Sequence, residues 1–371
     1  VADWLPTFAG AEHVVAEFCT LWPDAPLHTT IAQRGNIGTL DKNNILTSRL
    51  QWIYRLIKNH KLLLPWMPRA LERIDLRGYD VVLSSSHAVG KGIIPSSSAI
   101  HICYCHTPMR YAWEMEQQYL TDFHVPKFLQ KFIRQKLKDL RRWDLTTAKR
   151  TDVFIANSST IQERIRRIYD RDSIVIPPPV SDFFFESPLI PHQDRKGHFL
   201  AVGRLVPYKR FDLLIEAANA LKFQLKIAGT GSDASKLKRM AGPTVEFLGH
   251  VPDGDLPQIF GEARALLFPQ VEDAGVVPLE AQACGTPVIA LGEGGIRDTV
   301  VDGETGIFFA EQTVDAIKDA IDRFSTAQFS AQAIRAHAQQ YSAKSFRERI
   351  SQIVYETYRD HSTSPSKSSA S

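Results

Sequence analysis

Hydrophobic residues are distributed along this chain in two patterns, short apolar runs and longer stretches with an apolar residue at every third or fourth position. The short runs end at glycine, proline or polar residues and predict buried β-strands, whereas the longer stretches predict amphipathic helices. In the second half of the chain the two patterns alternate, which predicts a parallel sheet covered by helices. The strands predicted there are 198–202, 224–228, 245–248, 265–268 and 287–290.

The first half shows the same alternation and predicts another α/β domain. Residues 1–5 are predicted to be the end of a buried strand whose earlier residues the sequence lacks. Further strands are predicted at 79–86, 100–104, 152–158 and 173–176. After three prolines, a polar stretch indicates an interdomain linker. The predicted organisation is a first domain at 1–180, a linker at 181–197, a second domain at 198–344, a helix at 345–360 and a disordered tail at 361–371.

Composition narrows the classes of function. The 371 residues are 44% hydrophobic and 23% charged, and the net charge of +3 is too small to favour nucleic acid as a partner. The four cysteines lack the spacing of a metal site, which predicts free thiols in a reducing compartment. No apolar run approaches the roughly 20 residues of a transmembrane helix, and no signal peptide is visible. We therefore expect a cytoplasmic protein.

The segment 126–150 combines basic and apolar residues at helical spacing. It contains nine Lys or Arg residues against two Asp residues, so the predicted helix has one apolar and one cationic face. Two interpretations are open. The segment is either a surface helix packed on its own sheet or a helix that docks on anionic lipid headgroups, which would give peripheral contact with a membrane.

Two sequence patterns of the second half carry candidate chemistry. The strand 198–202 leads into Gly203, Arg204 and Lys209, a G-R-x4-K pattern that places two cations at a strand end. Farther along, Glu272 and Glu280 flank a turn that leads into a helix.

The backbone N–H groups of this turn, in which Gly275 lies, together with the helix dipole, favour an anion. The flanking carboxylates can accept hydrogen bonds from hydroxyl groups. The second pattern therefore indicates a ligand that carries both phosphate and hydroxyl groups.

A resemblance to a known family follows from these residues. The E-x7-E pair Glu272 and Glu280, followed by Ala-Cys-Gly-Thr-Pro-Val-Ile-Ala, resembles the donor-site signature of retaining glycosyltransferases of the GT-B type. The tract Tyr-Cys-His-Thr-Pro-Met-Arg-Tyr-Ala-Trp around His106 resembles the corresponding tract of bacterial mannosyltransferases of O-antigen and exopolysaccharide assembly. The resemblance implies two Rossmann-like, doubly wound parallel-sheet domains facing a central cleft. It also implies that the helix 345–360 crosses back to the first domain.

The resemblance also implies roles for individual residues. Arg204 and Lys209 would stabilise the diphosphate that leaves the donor, Glu272 would contact sugar hydroxyls and Glu280 the nucleotide ribose. His106, which follows a predicted strand, would orient the donor hexose and the acceptor hydroxyl. The remaining donor-binding positions implied are Gly10, Gly203, Val251, Gly275 and Val276. No cofactor and no metal ion are expected, because the two cations can neutralise the diphosphate.

The function implied is transfer of a hexose, with mannose from GDP-mannose as the first choice, to a lipid-linked or polysaccharide acceptor. This reaction would serve lipopolysaccharide or exopolysaccharide synthesis on the cytoplasmic face of the inner membrane. Two alternatives stay open. One is the same reaction with UDP-glucose or a UDP-N-acetylhexosamine as donor. The other is a protein that binds a sugar nucleotide without turnover.

Overall fold

The computed structural model describes residues 1–113 and 127–363, apart from the side chains of residues 111, 127–133 and 136. The chain divides into two compact units. The first consists of Val1–Pro177 together with the residues from Arg347 onward, and the second consists of Pro178–Phe346. Each unit is built on a parallel β-sheet, which confirms the predicted fold class of two α/β domains. None of the helices in the described ranges has the length and apolar composition of a membrane span.

The sheet of the first unit is doubly wound. Its strands are β1 (Leu27–Thr29), β2 (Ile45–Thr47), β3 (Val81–Ser86), β4 (Ile100–Cys105), β5 (Val153–Ala156) and β6 (Ser173–Val175). Ala2 pairs in parallel with both Thr29 and Ser85, so residues 2–5 lie between β1 and β3. The resulting order is β2, β1, residues 2–5, β3, β4, β5, β6. The chain therefore reverses its direction of winding beside residues 2–5, and this position is the topological switch point of the sheet.

Helices connect these strands and cover their faces. Ser158 caps the helix after β5, because its hydroxyl oxygen accepts a hydrogen bond from the N–H of Ile161. The helices of this unit are α1 (Gly10–Leu21), α2 (Leu50–Ile57), α3 (Met67–Glu72), α4 (Arg110–Trp113), α5 (Lys127–Ala148) and α6 (Ser159–Tyr169).

The second unit has six parallel strands. They are β7 (Phe199–Val202), β8 (Leu225–Ala228), β9 (Val245–Gly249), β10 (Leu266–Phe268), β11 (Val288–Leu291) and β12 (Gly306–Phe309), and their order in the sheet is β9, β8, β7, β10, β11, β12. The prediction missed β12. A Cβ atom at Gly306 would lie only 2.1 Å from the carbonyl oxygen of Val288, so the close pairing of β11 and β12 requires glycine at this position. The same glycine made residues 306–309 resemble a loop in the sequence.

Both faces of this sheet are buried. Phe199 and Ala201 point into one hydrophobic cluster, while Leu200 between them points into the other. Strands covered on both sides need apolar residues at every position, which explains why they were visible in the sequence as continuous apolar runs. The covering helices are α7 (Phe183–Glu186), α8 (Phe211–Leu221), α9 (Ala234–Met240), α10 (Leu256–Glu262), α11 (Val276–Ala283), α12 (Val314–Thr326) and α13 (Ala331–Ala338).

The last helix, α14 (Ala343–Thr363), begins two residues earlier and ends three residues later than the sequence pattern indicated. From Arg347 onward it belongs to the first unit. Arg347 pairs there with Glu17 at 2.5 Å, and Arg349 donates a hydrogen bond of 2.7 Å to the carbonyl oxygen of Val175. Residues 364–371 of the predicted tail lie outside the described residues.

The predicted linker 181–197 differs from the structure, because the boundary between the units falls after Pro177 and the segment belongs to the second unit. Phe184 is buried against Phe260. Arg195 is only 8% exposed, and its guanidinium donates hydrogen bonds to Thr286 Oγ1 at 2.6 Å and to the carbonyl oxygen of Gly285 at 2.7 Å. The segment was taken for a linker because it is polar, but several of its polar side chains are partly buried, and the guanidinium of Arg195 forms hydrogen bonds within the second unit.

Replacing Arg195 tests this correction. Arg195→Met should lower the free energy of unfolding of the second unit by about 3 kcal/mol, because it leaves buried acceptors without a donor. Lys196→Met is the control, since the Lys196 side chain is 60% exposed and forms only a surface ion pair with Glu262, so the loss should be within about 0.5 kcal/mol. Urea unfolding with hydrogen exchange resolved to the strands β7 to β11 measures both effects. Equal losses in the two variants would contradict the assignment.

Candidate functional site

The switch point of the second unit lies between β7 and β10, where the order of the sheet reverses. In open α/β sheets, ligands bind outside the carboxyl ends of the strands at such a point. The loop 203–210 follows β7 and the loop 269–275 follows β10. The two sequence patterns that carry the candidate donor site therefore leave the same edge of the sheet side by side.

An ion pair joins these two loops. Lys209 Nζ lies 2.8 Å from Glu272 Oε1, and the two side chains are only 11% and 21% exposed. Gly203 makes room for the ammonium group, because a Cβ atom there would lie 3.0 Å from Lys209 Nζ. The structure thus brings together Gly203, Lys209 and Glu272, three of the residues predicted from the sequence. Arg204 lies beside Gly203 on the same loop, with an exposed side chain.

Glycines of the neighbouring loop hold 203–210 in place. A Cβ atom at Gly229 would lie 1.9 Å from the carbonyl oxygen of Gly203, and one at Gly231 would lie 2.2 Å from that of Leu205. The N–H of Leu205 donates to the carbonyl oxygen of Thr230 at 2.8 Å. The two loops therefore pack backbone against backbone, and any side chain at these glycines would displace the loop that carries Lys209.

The loop after β10 is held in the same way from its other side. The N–H of Gly295 donates to the carbonyl oxygen of Glu272 at 2.9 Å. A Cβ atom at Gly295 would lie 2.1 Å from the carbonyl oxygen of Asp273, and one at Gly294 would lie 2.5 Å from that of Glu272. The backbone of Glu272 is therefore fixed by direct contact with Gly294 and Gly295.

Gly275 turns this loop into helix α11. Its backbone is left-handed, with φ 64° and ψ 62°, a conformation that favours glycine. The helix begins at Val276. The first N–H groups of a helix have no partner within the helix, and the dipole adds positive charge at this end. An anion bound beside Gly275 would find both.

Glu280 lies on the same helix and is half-buried. Burial raises the pKa of its carboxyl to about 7, and the charges of Asp253 and Glu272 act in the same direction against the opposing charge of Lys209. These four side chains are therefore close enough to interact electrostatically. A carboxyl group whose pKa lies near neutrality can change its protonation when a ligand with hydroxyl groups approaches.

Two residues of this cluster were not found from the sequence. Gln270 is 2% exposed, and its amide nitrogen lies 3.5 Å from Glu272 Oε1. Asp253 lies in the loop after β9, as does the half-buried Val251. Nothing in the local sequence distinguishes these residues from ordinary loop polarity. Across residues 1–113 and 127–363, no group of three or more His, Cys, Asp or Glu side chains is arranged to hold a metal ion.

The switch point of the first unit contains a buried aspartate. Asp3 is 1% exposed, and its carboxylate accepts backbone N–H hydrogen bonds from four consecutive residues, 87–90. Its Oδ2 also lies 2.9 Å from Nδ1 of His87. Burial alone would raise the pKa of Asp3, but His87 and the N–H groups outweigh it and lower the pKa to about 2. Neither Asp3 nor His87 was predicted from the sequence. The available signal was a charged residue within an apolar segment predicted to be a strand.

His106 follows β4, as the sequence pattern predicted. Its Nε2 lies 2.8 Å from Ser85 Oγ, and its ring packs edge-on against Tyr104 at 5.0 Å between centroids. Burial lowers the pKa of His106 to about 3, and the charge of His87 acts in the same direction. The imidazole is therefore neutral, which suits a hydrogen-bonding role.

The pKa of His87 is shifted in the opposite direction to that of His106. Burial disfavours its charged form, yet the Asp3 carboxylate keeps the pKa of His87 above its ordinary value.

Gly10 is the first residue of α1 and is exposed. A Cβ atom added there would meet no atom within 4 Å. The protein itself therefore does not require glycine at this position, and a requirement for glycine would have to come from a ligand.

Two protein-family models match this chain, and the boundary between their matches lies close to the boundary between the two units. Residues 8–182 match the family model described as Glycosyltransferase Family 4, and residues 182–345 match the model described as Glycosyl transferases group 1. The two matches are consecutive and together extend from residue 8 to residue 345. The two parallel-sheet domains of this chain therefore have the GT-B fold of group 1 and family 4 glycosyltransferases.

Curated relatives are similar over part of their length. A GDP-mannose-dependent alpha-(1-6)-phosphatidylinositol monomannoside mannosyltransferase of Mycolicibacterium smegmatis is 36% identical over 140 residues, which are 33% of this chain and 37% of that protein. Mannosylfructose-phosphate synthase of Agrobacterium fabrum is 27% identical over 292 residues, which are 67% of this chain and 62% of that protein. The matched regions thus cover less than two thirds of either relative.

Solved structures match nearly the whole chain. Sucrose-phosphate synthase from Thermosynechococcus elongatus has a TM-score of 0.72 at 18% identity, covering 97% of this chain and 99% of that one. Anabaena Alr3699/HepE in complex with UDP-glucose has a TM-score of 0.67 at 17% identity, covering 96% and 98%. The apo form of the lipopolysaccharide outer core galactosyltransferase WaaB has a TM-score of 0.65 at 18% identity, covering 96% and 98%. At these identities the likeness establishes the fold.

The buried carboxylate of Asp3 leads to a stability prediction. Asp3→Asn should lower the free energy of unfolding of the first unit by about 3 kcal/mol at neutral pH, because it removes a buried charge that satisfies four N–H groups. The pKa of Asp3 in the folded protein is below its ordinary 3.8. Its contribution is therefore complete above about pH 3.8 and is lost as the pH falls towards about 2.

Asp75→Asn is the matched control for this experiment. Asp75 is an exposed aspartate of the same unit whose ion pair with Arg77 lies at the surface, so its replacement should have little effect. Urea unfolding of the three proteins at neutral and acidic pH measures the difference. A loss in Asp3→Asn that persists unchanged at about pH 2 would contradict the charge argument.

Glu280 leads to a prediction of opposite sign. Because the pKa of its carboxyl is raised from 4.5 to about 7, the folded chain binds a proton that the unfolded chain has lost between these values, and stability falls as the pH rises through this window. Glu280→Gln should therefore raise the melting temperature above about pH 7 more than below about pH 4.5. Exposed Glu311→Gln is the control. A gain that is equal at both ends of the window would contradict the proposed electrostatics.

Proposed function

We propose that this chain is a retaining glycosyltransferase that transfers a hexose, with mannose from GDP-mannose as the first candidate, to a lipid-linked or polysaccharide acceptor. The observation that carries the proposal is the ion pair between Lys209 and Glu272 at the switch point of the second unit. Beside it lie the N-terminus of α11 and the carboxyl group of Glu280. The cluster offers a cation, free N–H groups and carboxylates to one ligand, as a nucleotide sugar requires.

The proposed chemistry is stabilisation of a leaving diphosphate. When the bond between the sugar and the β-phosphate breaks, negative charge grows on the phosphate oxygens, and fixed cations lower the barrier. Lys209 is preorganised for this task because Glu272 and the packing around Gly203 hold its ammonium in place. Arg204, exposed on the same loop, can form paired hydrogen bonds with phosphate oxygens. We infer that these side chains remove the need for a metal ion.

The carboxylates would hold the hydroxyl-bearing parts of the donor. We infer that Glu272, fixed through its backbone by Gly295, accepts hydrogen bonds from the sugar. Glu280 would accept them from the ribose, with Val251 beside the base. The N–H groups of Gly275 and Val276 would contact the diphosphate.

In the first unit, we infer that His106 hydrogen-bonds a substrate hydroxyl. Its ring is neutral, and its Nε2 is already oriented by Ser85. Gly10, at the start of α1, would allow a ligand to approach the backbone.

Two donors are favoured by specific observations. The name of the Mycolicibacterium smegmatis relative includes GDP-mannose, and the tract around His106 resembles that of mannosyltransferases. A UDP-linked glucose is the second candidate, because the structurally similar Anabaena protein was solved with UDP-glucose. We place GDP-mannose first because the sequence identity to the former protein, 36% within the matched region, exceeds the 17% to the latter.

Nucleotide-sugar binding and turnover test this proposal together. A donor that binds only the folded state should raise the melting temperature with concentration, and GDP-mannose should do so more than UDP-glucose. Incubation with a lipid-linked saccharide should then release the nucleotide diphosphate. Binding without release under any acceptor condition would favour the alternative of a sugar-nucleotide-binding protein.

A matched pair of lysine variants locates the activity. Lys209→Ala should lower the rate of transfer by about 100-fold to 1000-fold, because it removes a charge that stabilises the leaving group. Lys226→Ala is the control, since Lys226 forms a more exposed ion pair with Glu246 at 3.3 Å in the same sheet. Unchanged transfer by Lys209→Ala would remove this cluster from the active site.

A further inference from the structure

An unusual surface lies on the first unit, in helix α2 and the helical turn His60–Trp66 that follows it. Buried side chains, Tyr54, Leu63 and Leu64, anchor this segment to the hydrophobic core. The other large apolar side chains of this segment nevertheless face solvent. They are Trp52 (71% exposed), Ile53, Leu56 (86%), Ile57, Leu62 and Trp66 (57%).

These side chains form a surface and are not scattered singly. Trp52, Ile53, Leu56 and Ile57 have the spacing of one helix face, and α2 packs against the turn that carries Leu62 and Trp66. Large apolar surfaces of this kind usually mark a site of contact with another molecule or a membrane.

The same segment is strongly cationic. From residue 42 to residue 71 the sequence contains six Lys or Arg residues and no Asp or Glu, in a chain whose net charge is only +3. The guanidinium of Arg55 lies 5.0 Å above the ring of Trp52, so cations and aromatic rings share one surface. Exposed cations are Arg49, Arg55, Lys58, Lys61 and Arg69. We call residues 49–69 the aromatic–basic face.

The positive charge of the aromatic–basic face indicates that its partner is anionic. A second copy of the chain would oppose two cationic faces without any carboxylate from either segment, so the surface is not self-complementary. An anionic lipid surface supplies the missing negative charge, and tryptophan is enriched where proteins meet the headgroup region. A short helix with exposed apolar residues and flanking cations is the arrangement that lies in the plane of such an interface.

The segment 126–150, for which membrane docking was one of two interpretations, is a weaker candidate in the residues that can be described. Leu137 and Asp144 are buried, and Asp144 forms an ion pair with Lys91 inside the first unit. Trp143 Nε1 donates to Glu72 at 3.0 Å. The carboxyl-terminal part of this helix is therefore packed on its own unit, as the first of the two interpretations had it. Residue 126 and the side chains of 127–133 and 136 lie outside the described residues.

We propose that the aromatic–basic face is the surface by which this chain attaches to an anionic lipid bilayer. Trp52, Leu56, Leu62 and Trp66 enter the headgroup boundary, while the exposed Lys and Arg residues pair with lipid phosphates. The proposal rests on exposure and charge within the first unit and does not depend on the transfer reaction. It is compatible with an acceptor that is carried on a lipid.

Vesicle cosedimentation tests the proposal. The full chain should bind vesicles made of equal parts phosphatidylcholine and phosphatidylglycerol, and should bind pure phosphatidylcholine far more weakly. Arg55→Gln/Lys58→Gln/Lys61→Gln should weaken binding about 100-fold, because each cation near an anionic surface contributes about a factor of five. Trp52→Ser/Leu56→Ser should weaken it at least about tenfold, because two large apolar groups no longer enter the interface.

Two control variants match these substitutions. Lys236→Gln/Lys238→Gln/Arg239→Gln removes the same charge from exposed positions of the second unit. Tyr355→Ser/Tyr358→Ser removes two exposed aromatic residues of α14. Both controls should retain vesicle binding. All four variants should keep the melting temperature of the parent chain, since the replaced side chains are exposed.

Three outcomes would overturn the proposal. The first is no binding by the parent chain to anionic vesicles, which would leave the face to an acidic protein partner. The second is equal loss of binding in the charge variant and its second-unit control, which would indicate adsorption by net charge alone. The third is a dimer in sedimentation equilibrium that Trp52→Ser/Leu56→Ser dissociates, which would assign the face to a second copy.

Discussion

The ion pair between Lys209 and Glu272 is the interaction on which the candidate donor site depends. The Lys209 side chain is only 11% exposed, and its ammonium group needs a partner because removing a charge from water is costly. Glu272 supplies that partner from a loop that follows a different strand, so the pair fixes the two loops to each other at the switch point. A diphosphate that approached Lys209 would share its charge and leave Glu272 able to accept hydrogen bonds from hydroxyl groups. The ion pair thus holds the two loops together in the free protein. In the proposed complex, Lys209 would bind the diphosphate and Glu272 would bind hydroxyl groups.

The two units use one topology with different electrostatics at the switch point. In the second unit, the N-terminus of α11 and the ammonium of Lys209 leave positive potential that a ligand can use. In the first unit, the consecutive N–H groups of residues 87–90 would also suit an anion, but the carboxylate of Asp3 already occupies them. The carboxylate of Asp3 thus takes the place of a bound anion, and the N–H groups of residues 87–90 stabilise the fold instead of binding a ligand. This difference agrees with the proposal that the second unit recognises the phosphates, whereas the first unit has the imidazoles of His87 and His106 at its switch point.

The sequence predicted the parts of this structure that depend on local pattern and strand ends. Strands buried on both faces are continuously apolar, and Gly203, Lys209 and Glu272 could be identified because each closely follows one of them. Contacts between residues distant in sequence could not be predicted. Asp3 and His87, which are in contact, are separated by 84 positions in the sequence. Arg195, in the segment that was predicted to be a linker, donates hydrogen bonds to residues about 90 positions later. Strand β12 was not predicted because its first residue is Gly306. This glycine allows close packing against Val288, but it weakens the apolar pattern of the strand.

The distribution of acidic residues explains why two basic, amphipathic segments of the first unit differ. Charge and periodicity alone made 126–150 a candidate for membrane contact, but that segment contains Asp144, which is buried and paired with Lys91. A buried carboxylate fixes the orientation of a helix, because its partners must also lie inside the unit. The segment 42–71 contains no carboxylate of its own. Its cations are exposed beside Trp52 and Leu56, and the proposed lipid surface would supply the negative charge that complements them.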